Sequence, residues 1–264
     1  MRNVRVLLAY DGSPFFGWQR QDGFDTVQEA LEDALEALVG DKVVVHGAGR
    51  TDTGVHALGQ VAHFHVETRL ADDRVRHALN HYLPPTVRCL RLETCDPGFH
   101  ARFHAKGKRY AYVTATQRFR PPFAPHLCHW IPEPLDLGAM RRAAAVLVGR
   151  PAFSAFATVG SPRRDNVRTL SAVRIVARKR RFAVFVQGDG FLYNMVRTIA
   201  GTLFEVGRGK LGPRDVVDIL ASGERERAGP TAPAAGLYLV AVRYPEKPFV
   251  GPDAGPAGTP GLFA

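Results

Sequence analysis

Cysteine, methionine, tryptophan and lysine are all scarce in this chain of 264 residues, which holds three Cys, three Met, two Trp and six Lys. Cys89, Cys95 and Cys128 are too few for a disulfide framework, and none sits in a C-x-x-C pair. No apolar run approaches the ~20 residues that a membrane helix needs. The opening residues, Met1-Arg2-Asn3-Val4-Arg5, lack the apolar stretch of a signal peptide. A cytoplasmic protein with no membrane partner is therefore expected. Gly-x-x-x-x-Gly-Lys followed by Ser or Thr occurs nowhere, which excludes a P-loop for nucleoside triphosphates. With 45% hydrophobic and 23% charged residues the chain is globular in composition, and its length suits one large or two modest domains.

Against the six lysines stand 29 arginines, and Lys+Arg exceed Asp+Glu by 10. Arginine keeps its charge at any relevant pH and presents a planar fork that matches phosphate. The excess is not spread evenly. Residues 1–100 carry a net −4, residues 101–200 a net +14, and residues 201–264 a net of zero. The middle block holds Arg102, Lys106, Lys108, Arg109, Arg118, Arg120, Arg163, Arg164, Arg168 and the run Arg178-Lys179-Arg180-Arg181, interleaved with Phe99, Phe103, Tyr110, Tyr112, Phe119 and Phe123. A concentrated basic field with aromatics points to a polyphosphate ligand such as RNA; a merely solvated basic face is the alternative.

Periodicity predicts a strand over Val4–Tyr10 ending at the turn Asp11-Gly12-Ser13-Pro14. A helix follows, opened by a capping box at Thr26-Val27-Gln28-Glu29, with Val27, Ala30, Leu31, Ala34, Leu35 and Leu38 on one face. Strands are expected at Val43–His46, Gln60–Val66 and Val87–Glu93, with a helix at Asp72–Leu83 between the last two. The pattern then restarts: a strand at Arg109–Thr116, a helix at Leu137–Val148, and a hairpin of Leu170–Ala177 with Phe182–Gln187 turning at the basic run. Helices at Phe191–Val206 and Pro213–Ala221 and a strand at Leu237–Val242 complete it. This order fits two α+β halves with mainly antiparallel sheets, not one alternating parallel sheet. The expected division is an N-terminal half over 1–105, a basic C-terminal half over 106–244, and a Pro/Gly-rich tail over 245–264.

The strongest chemical candidate is Gly49-Arg50-Thr51-Asp52-Thr53-Gly54-Val55-His56-Ala57. In an extended segment Arg50 and Asp52 point to the same side, two residues apart. A neighbouring guanidinium keeps a carboxylate ionised, which suits a nucleophile better than a general acid. From those two residues alone, a turn-capping Asp in an exposed ion pair is the plainer reading. Zinc is raised by ten histidines confined between His46 and His129, including His63-x-His65, the i,i+4 pair His77/His81, and Cys128-His129. No three of them form a compact ligand signature, so no metal is expected. Gly188-Asp189-Gly190 before a helix resembles a phosphate-binding turn, although a plain hairpin-to-helix turn explains it as well.

Six segments taken together resemble the TruA-type tRNA pseudouridine synthase family. They are Asp11-Gly12-Ser13-Pro14-Phe15-Phe16-Gly17-Trp18-Gln19, Thr26-Val27-Gln28, Gly49–Ala57, Lys108-Arg109-Tyr110-Ala111-Tyr112, Gly190-Phe191-Leu192-Tyr193-Asn194-Met195-Val196-Arg197, and Ala232-Pro233-Ala234-Ala235-Gly236-Leu237. They occur in the family's order across residues 4–244. Thr53 stands where the family often has Ala, and Thr198 follows Arg197 where other residues are usual; neither is a presumed reacting group.

The resemblance implies a pseudouridine synthase fold, with two RRM- or ferredoxin-like halves meeting at a central catalytic cleft. It implies isomerisation of uridine to pseudouridine in the anticodon stem-loop of tRNA, at positions 38, 39 and 40, on a flipped-out base and without a cofactor. It also implies a homodimer. By position, Asp52 would be the nucleophile, attacking either the ribose C1′ or the base C6. Tyr110 would stack on the uracil and assist proton removal, Arg197 would pair with Asp52, and Arg50 would help displace the base or hold the backbone. Leu237 would pack beneath the catalytic loop, with Lys108 and Arg109 beside the substrate. Arg163, Arg164, Arg168, Arg178, Lys179, Arg180 and Arg181 are expected along the RNA backbone. Two other classes remain: a non-catalytic RNA-binding protein with two RRM-like halves, and a metal-dependent nuclease using Asp11 and Asp52.

Overall fold

The computed structural model describes residues 1–158 and 165–246, so Arg163 and Arg164 and residues 247–264 of the tail lie outside the described residues. The chain divides into two compact units. Among the described residues, the first is Met1–Lys106 together with residues 238–246, and the second is Gly107–Leu237. Among the described residues, no helix is long and apolar enough to cross a membrane.

The first unit opens with β1 (Arg2–Tyr10), whose alternation buries Val4, Val6, Leu8 and Tyr10. Helix α1 (Val27–Val39) begins at Thr26, whose hydroxyl accepts the Glu29 N–H at 3.3 Å. The Glu29 carboxylate pairs with Arg20 at 3.2 Å. Leu31, Ala34 and Leu35 are buried on the apolar side of α1, and Gly40 ends it in the left-handed region.

The strand expected at Val43–His46 is reduced to the two-residue β2 (His46–Gly47). Side chains of α1 take the hydrogen bonds that a strand partner would have used. Val45 N–H donates to the Glu32 carboxylate at 3.0 Å, and Gln28 Nε2 donates to the Val45 carbonyl at 3.2 Å. The next strand, β3 (His56–Val66), runs antiparallel to β1 from Arg2↔Val66 to Tyr10↔Ala57. Helix α2 (Asp72–Tyr82) lies beside β4 (Val87–Thr94), which pairs antiparallel with the other edge of β1. That pairing shifts register between Leu7 and Leu8, and Asn80 of α2 fills the gap, exchanging two 2.8 Å hydrogen bonds with the Cys89 backbone. A strand at Leu237–Arg243 pairs parallel with β3 at His56↔Tyr238 and Ala57↔Leu239.

In the second unit, β5 (Gly107–Ala115) carries the short β6 (His129–Trp130) in parallel along one stretch. Helix α3 (Leu137–Val146) is capped by Asp136, which accepts the Ala139 N–H at 2.9 Å. The hairpin β7 (Leu170–Arg178) and β8 (Arg181–Gly188) turns at Lys179-Arg180, and β8 pairs antiparallel with β5 from Lys108↔Gly188 to Ala115↔Arg181. Helix α4 (Met195–Gly207) buries all but two of its residues. It starts four residues later than the sequence predicts, because Asn194 adopts φ +59 and cannot belong to a right-handed helix. Helix α5 (Pro213–Ser222) follows, and the strand Leu237–Arg243 is β9. Both units are thus α+β with mainly antiparallel strands, the class expected.

Candidate active site

The Asp52 loop leaves β2 at Gly47 and enters β3 at His56. Burial alternates along it: Arg50 is exposed, Thr51 is buried, and Asp52 is partly exposed. Thr51 thus anchors the segment while both charged neighbours face outward, as an extended backbone dictates.

The segment between β1 and α1 braces the loop from one side. Trp18 N–H donates to the Thr51 carbonyl at 3.0 Å, and Gly54 N–H donates to the Phe15 carbonyl at 3.4 Å. Gly17 makes the first of these approaches feasible. Its φ is +90, and a Cβ there would lie 2.7 Å from the Thr51 oxygen. Beyond Asp52 the chain turns tightly, with Val55 N–H donating to the Asp52 carbonyl at 3.0 Å. The buried His56 then closes the loop: its ring stacks on Tyr238 at 4.7 Å, and its Nδ1 lies 3.0 Å from Gly12 N and 3.1 Å from Asp11 Oδ1. Asp11 therefore sits at the base of this loop, engaged with His56 and with the Ser13 N–H at 2.9 Å.

The other candidates belong to the second unit. Tyr110 lies in β5, only 8% exposed, with Phe191 edge-on to its ring at 5.0 Å. Lys108 and Arg109 precede it on the same strand, both half-buried. Arg197, the third residue of α4, is fixed in place: Nε donates to the Ala232 carbonyl at 2.7 Å, and one terminal nitrogen donates to Asn194 Oδ1 at 2.8 Å. Arg197 also lowers the cost of charging Tyr112, whose pKa burial drives upward. Leu237 is buried as the first residue of β9.

Arg178, Lys179 and Arg180 are exposed at the tip of the β7–β8 hairpin, where Lys179 takes φ +54, and Arg181 is half-buried at the start of β8. The Arg168 side chain folds back on the Asp165 carbonyl at 3.2 Å. Phe119 and Phe123 are strongly exposed, with the Arg118 guanidinium 5.3 Å over the Phe119 ring.

The histidines do gather. His46, His63 and His100 have ring centroids 4.5–5.5 Å apart. Burial first, then the neighbouring imidazoles of His100 and His46, push the His63 pKa down to about 4. His63 Nδ1 lies 3.2 Å from the Ala101 N–H, a structural contact. Among the described residues, no three His, Cys, Asp or Glu are grouped to hold a metal ion.

Three residues of this architecture escaped the sequence reading. Asn194, in the left-handed region, holds Arg197. Tyr10 meets Thr51 across 41 positions, its hydroxyl 2.8 Å from Thr51 Oγ1. Gln60, fully buried, donates to the Gly49 carbonyl at 2.8 Å. Only Gln60 left a signal: an amide inside the otherwise apolar run Leu58-Gly59-Gln60-Val61-Ala62.

Comparison with known proteins covers both units. A family described as tRNA pseudouridine synthase matches residues 7–104 and 143–245. A relative from Acetivibrio thermocellus named tRNA pseudouridine synthase A is 45% identical over 244 residues, which is 92% of this chain and all of the relative. One of the same name from Geobacillus kaustophilus is 41% identical over 250 residues, 94% of this chain and 97% of the relative. Among solved structures, a Cbf5-Nop10-Gar1 complex is similar at 11% identity and a TM-score of 0.38, over 90% of this chain and 48% of that one, a likeness too distant to add weight. The matches run through the Asp52 loop and the Arg197 helix, and on their strength the chain belongs to the tRNA pseudouridine synthase family, isomerases that act on uridine in tRNA.

Proposed function

We propose that this protein converts uridine to pseudouridine at positions 38, 39 and 40 of the tRNA anticodon arm, with Asp52 as the nucleophile. The observation that carries this reading is the display of Asp52. It is partly exposed at the crest of a loop whose flanking Thr51 is buried and hydrogen-bonded on both its backbone and its side chain. A carboxylate held in that way keeps its geometry while remaining open to a large substrate.

The reaction breaks the bond between ribose C1′ and base N1 and forms one between C1′ and C5. The C5 proton leaves and N1 gains one, so no redox carrier or triphosphate is needed. Attack by Asp52 at C1′ or at C6 detaches or activates the base for rotation. The uridine must leave its stack, at a cost of about a few kcal/mol, and the Tyr110 ring, steadied by Phe191, provides an aromatic face that offsets part of it. Arg197 stabilises the Asp52 carboxylate, Arg50 holds the displaced nucleotide, Leu237 supports the loop, and Lys108 and Arg109 neutralise nearby phosphate. The protein acts as a cytoplasmic homodimer, which gives one folded tRNA two basic surfaces to engage.

Release of tritium from tRNA carrying 5-tritiated uridine tests the reading. Release that persists in EDTA, with the RNA uncut, is expected. Binding without release would favour a non-catalytic RNA-binding protein, and cleavage stopped by EDTA would favour a nuclease. Tyr110→Leu is expected to lower kcat at least tenfold more than it weakens tRNA affinity, because the stacked base is only one of many groups that the protein holds. Equal losses in both would contradict a role confined to the flipped base. Neutralising Arg178, Lys179, Arg180 and Arg181 together is expected to weaken tRNA binding and to reduce the slope of log K against log salt by about one for each phosphate no longer neutralised. An unchanged slope would make the hairpin tip a solvated turn.

A further inference from the structure

The geometry points to Tyr10, Gln60 and Thr51 as positioning residues that hold the Arg50–Asp52 segment in its reactive form, an inference that rests on Asp52 being the nucleophile. All three are polar and almost wholly buried, with exposures of 4%, 0% and 6%. Gln60 Nε2 donates to the Gly49 carbonyl at 2.8 Å, immediately before Arg50. The Tyr10 hydroxyl lies 2.8 Å from Thr51 Oγ1, between Arg50 and Asp52, and also hydrogen-bonds the Gln60 side chain. One connected chain of side chains thus grips the loop on both sides of Arg50 and directly before Asp52.

Tyr10 and Gln60 both reach the loop from strands, on either side of a register shift in the β1–β3 pairing (Leu8↔Gln60, then Tyr10↔Ala57). Tyr10 ends β1 and Gln60 lies within β3, where neighbouring pairings fix both backbones. Gln60 Oε1 is engaged as well, accepting from the Val61 N–H at 3.2 Å. A buried amide and a buried phenol among Val6, Leu8, Ala62 and Phe64 give up hydration that apolar residues would not have to give up. Connected and satisfied, they define a single loop geometry in which Thr51 faces inward and its charged neighbours face out. Burial also pushes the Tyr10 pKa well above the usual phenol range, so the hydroxyl remains a neutral donor and acceptor under working conditions.

The test compares Tyr10→Phe, Thr51→Val, Thr51→Ser and the double variant Tyr10→Phe/Thr51→Val, by kcat and KM on tRNA and by thermal midpoint. Positioning predicts that Tyr10→Phe and Thr51→Val each lower kcat about tenfold to a hundredfold, with KM within about threefold. Thr51→Ser, which restores the hydroxyl, recovers most of kcat. The double variant leaves neither hydroxyl orphaned, so its midpoint should rise above that of Tyr10→Phe while kcat stays low. A kcat that recovers with the midpoint would assign the pair a purely structural role and overturn the inference. So would a normal kcat in Tyr10→Phe. Asp52→Asn, assayed in parallel, separates the two levels. If it is inactive while Tyr10→Phe is normal, only the positioning inference falls; if it is active, both readings fall.

Discussion

Asp52→Asn is expected to abolish pseudouridine formation, with turnover reduced by at least about 10⁴-fold, while tRNA affinity stays within about tenfold. The substitution keeps the side chain's size and its shape but removes the charge that makes it a nucleophile. The loop itself should survive the change. Its anchors are the Trp18 N–H on the Thr51 carbonyl, the Val55 N–H on the Asp52 carbonyl, and the Tyr10 hydroxyl on Thr51, none of which uses the Asp52 carboxylate. Affinity for a folded tRNA is distributed over many phosphates, so one small neutralised side chain removes little of it. Single-turnover kinetics and filter binding on the same preparation measure the two quantities independently. Turnover within about tenfold of the unaltered protein would remove Asp52 from the role of nucleophile.

Gly201→Ala is expected to cost about 3 kcal/mol or more in stability, read as a lowered urea midpoint with an unchanged slope. Gly201 lies in the middle of α4, where a Cβ would fall 1.7 Å from the Pro230 carbonyl oxygen and 2.9 Å from its carbon. Both obstacles are backbone, so neither can rotate aside. The segment that crosses α4 here is tightly tied. Gly229 N–H donates to Thr202 Oγ1 at 2.9 Å, and Arg225 donates to the Gly229 carbonyl at 3.0 Å. Two residues beyond Pro230 the same segment supplies the Ala232 carbonyl that receives Arg197 Nε. Pushing Pro230 outward therefore loosens the mount of Arg197 as well as the helix packing. A variant that matches the unaltered protein in midpoint would mean that the crossing is more yielding than these distances allow.

What could be read from sequence was whatever local patterning controls. The alternation of Val4, Val6 and Leu8 yields β1, the Thr26 cap yields the start of α1, and the basic run between two β-formers yields a hairpin tip. The Gly-rich loop with Arg50 and Asp52 was legible for the same reason. Where partners come from far along the chain, the pattern misled. Val43–His46 has strand composition, yet Gln28 and Glu32 of α1 take the Val45 backbone groups. Phe191–Tyr193 continues the apolar rhythm of α4, yet Asn194 breaks it by adopting a left-handed backbone that no periodicity reveals. Tyr10 and Gln60 read simply as strand residues, since their work depends on Thr51 and Gly49 arriving from a different segment. The parallel seating of β9 beside His56 and Ala57 is likewise a long-range pairing with no local mark.

The most direct measurement is a map of pseudouridine in unmodified tRNA before and after incubation with the purified protein, using carbodiimide adducts read by primer extension. New pseudouridine confined to uridines at positions 38, 39 and 40, and absent when Asp52→Asn replaces the protein, is the predicted result. No new pseudouridine, or pseudouridine confined to other parts of the tRNA, would contradict the account.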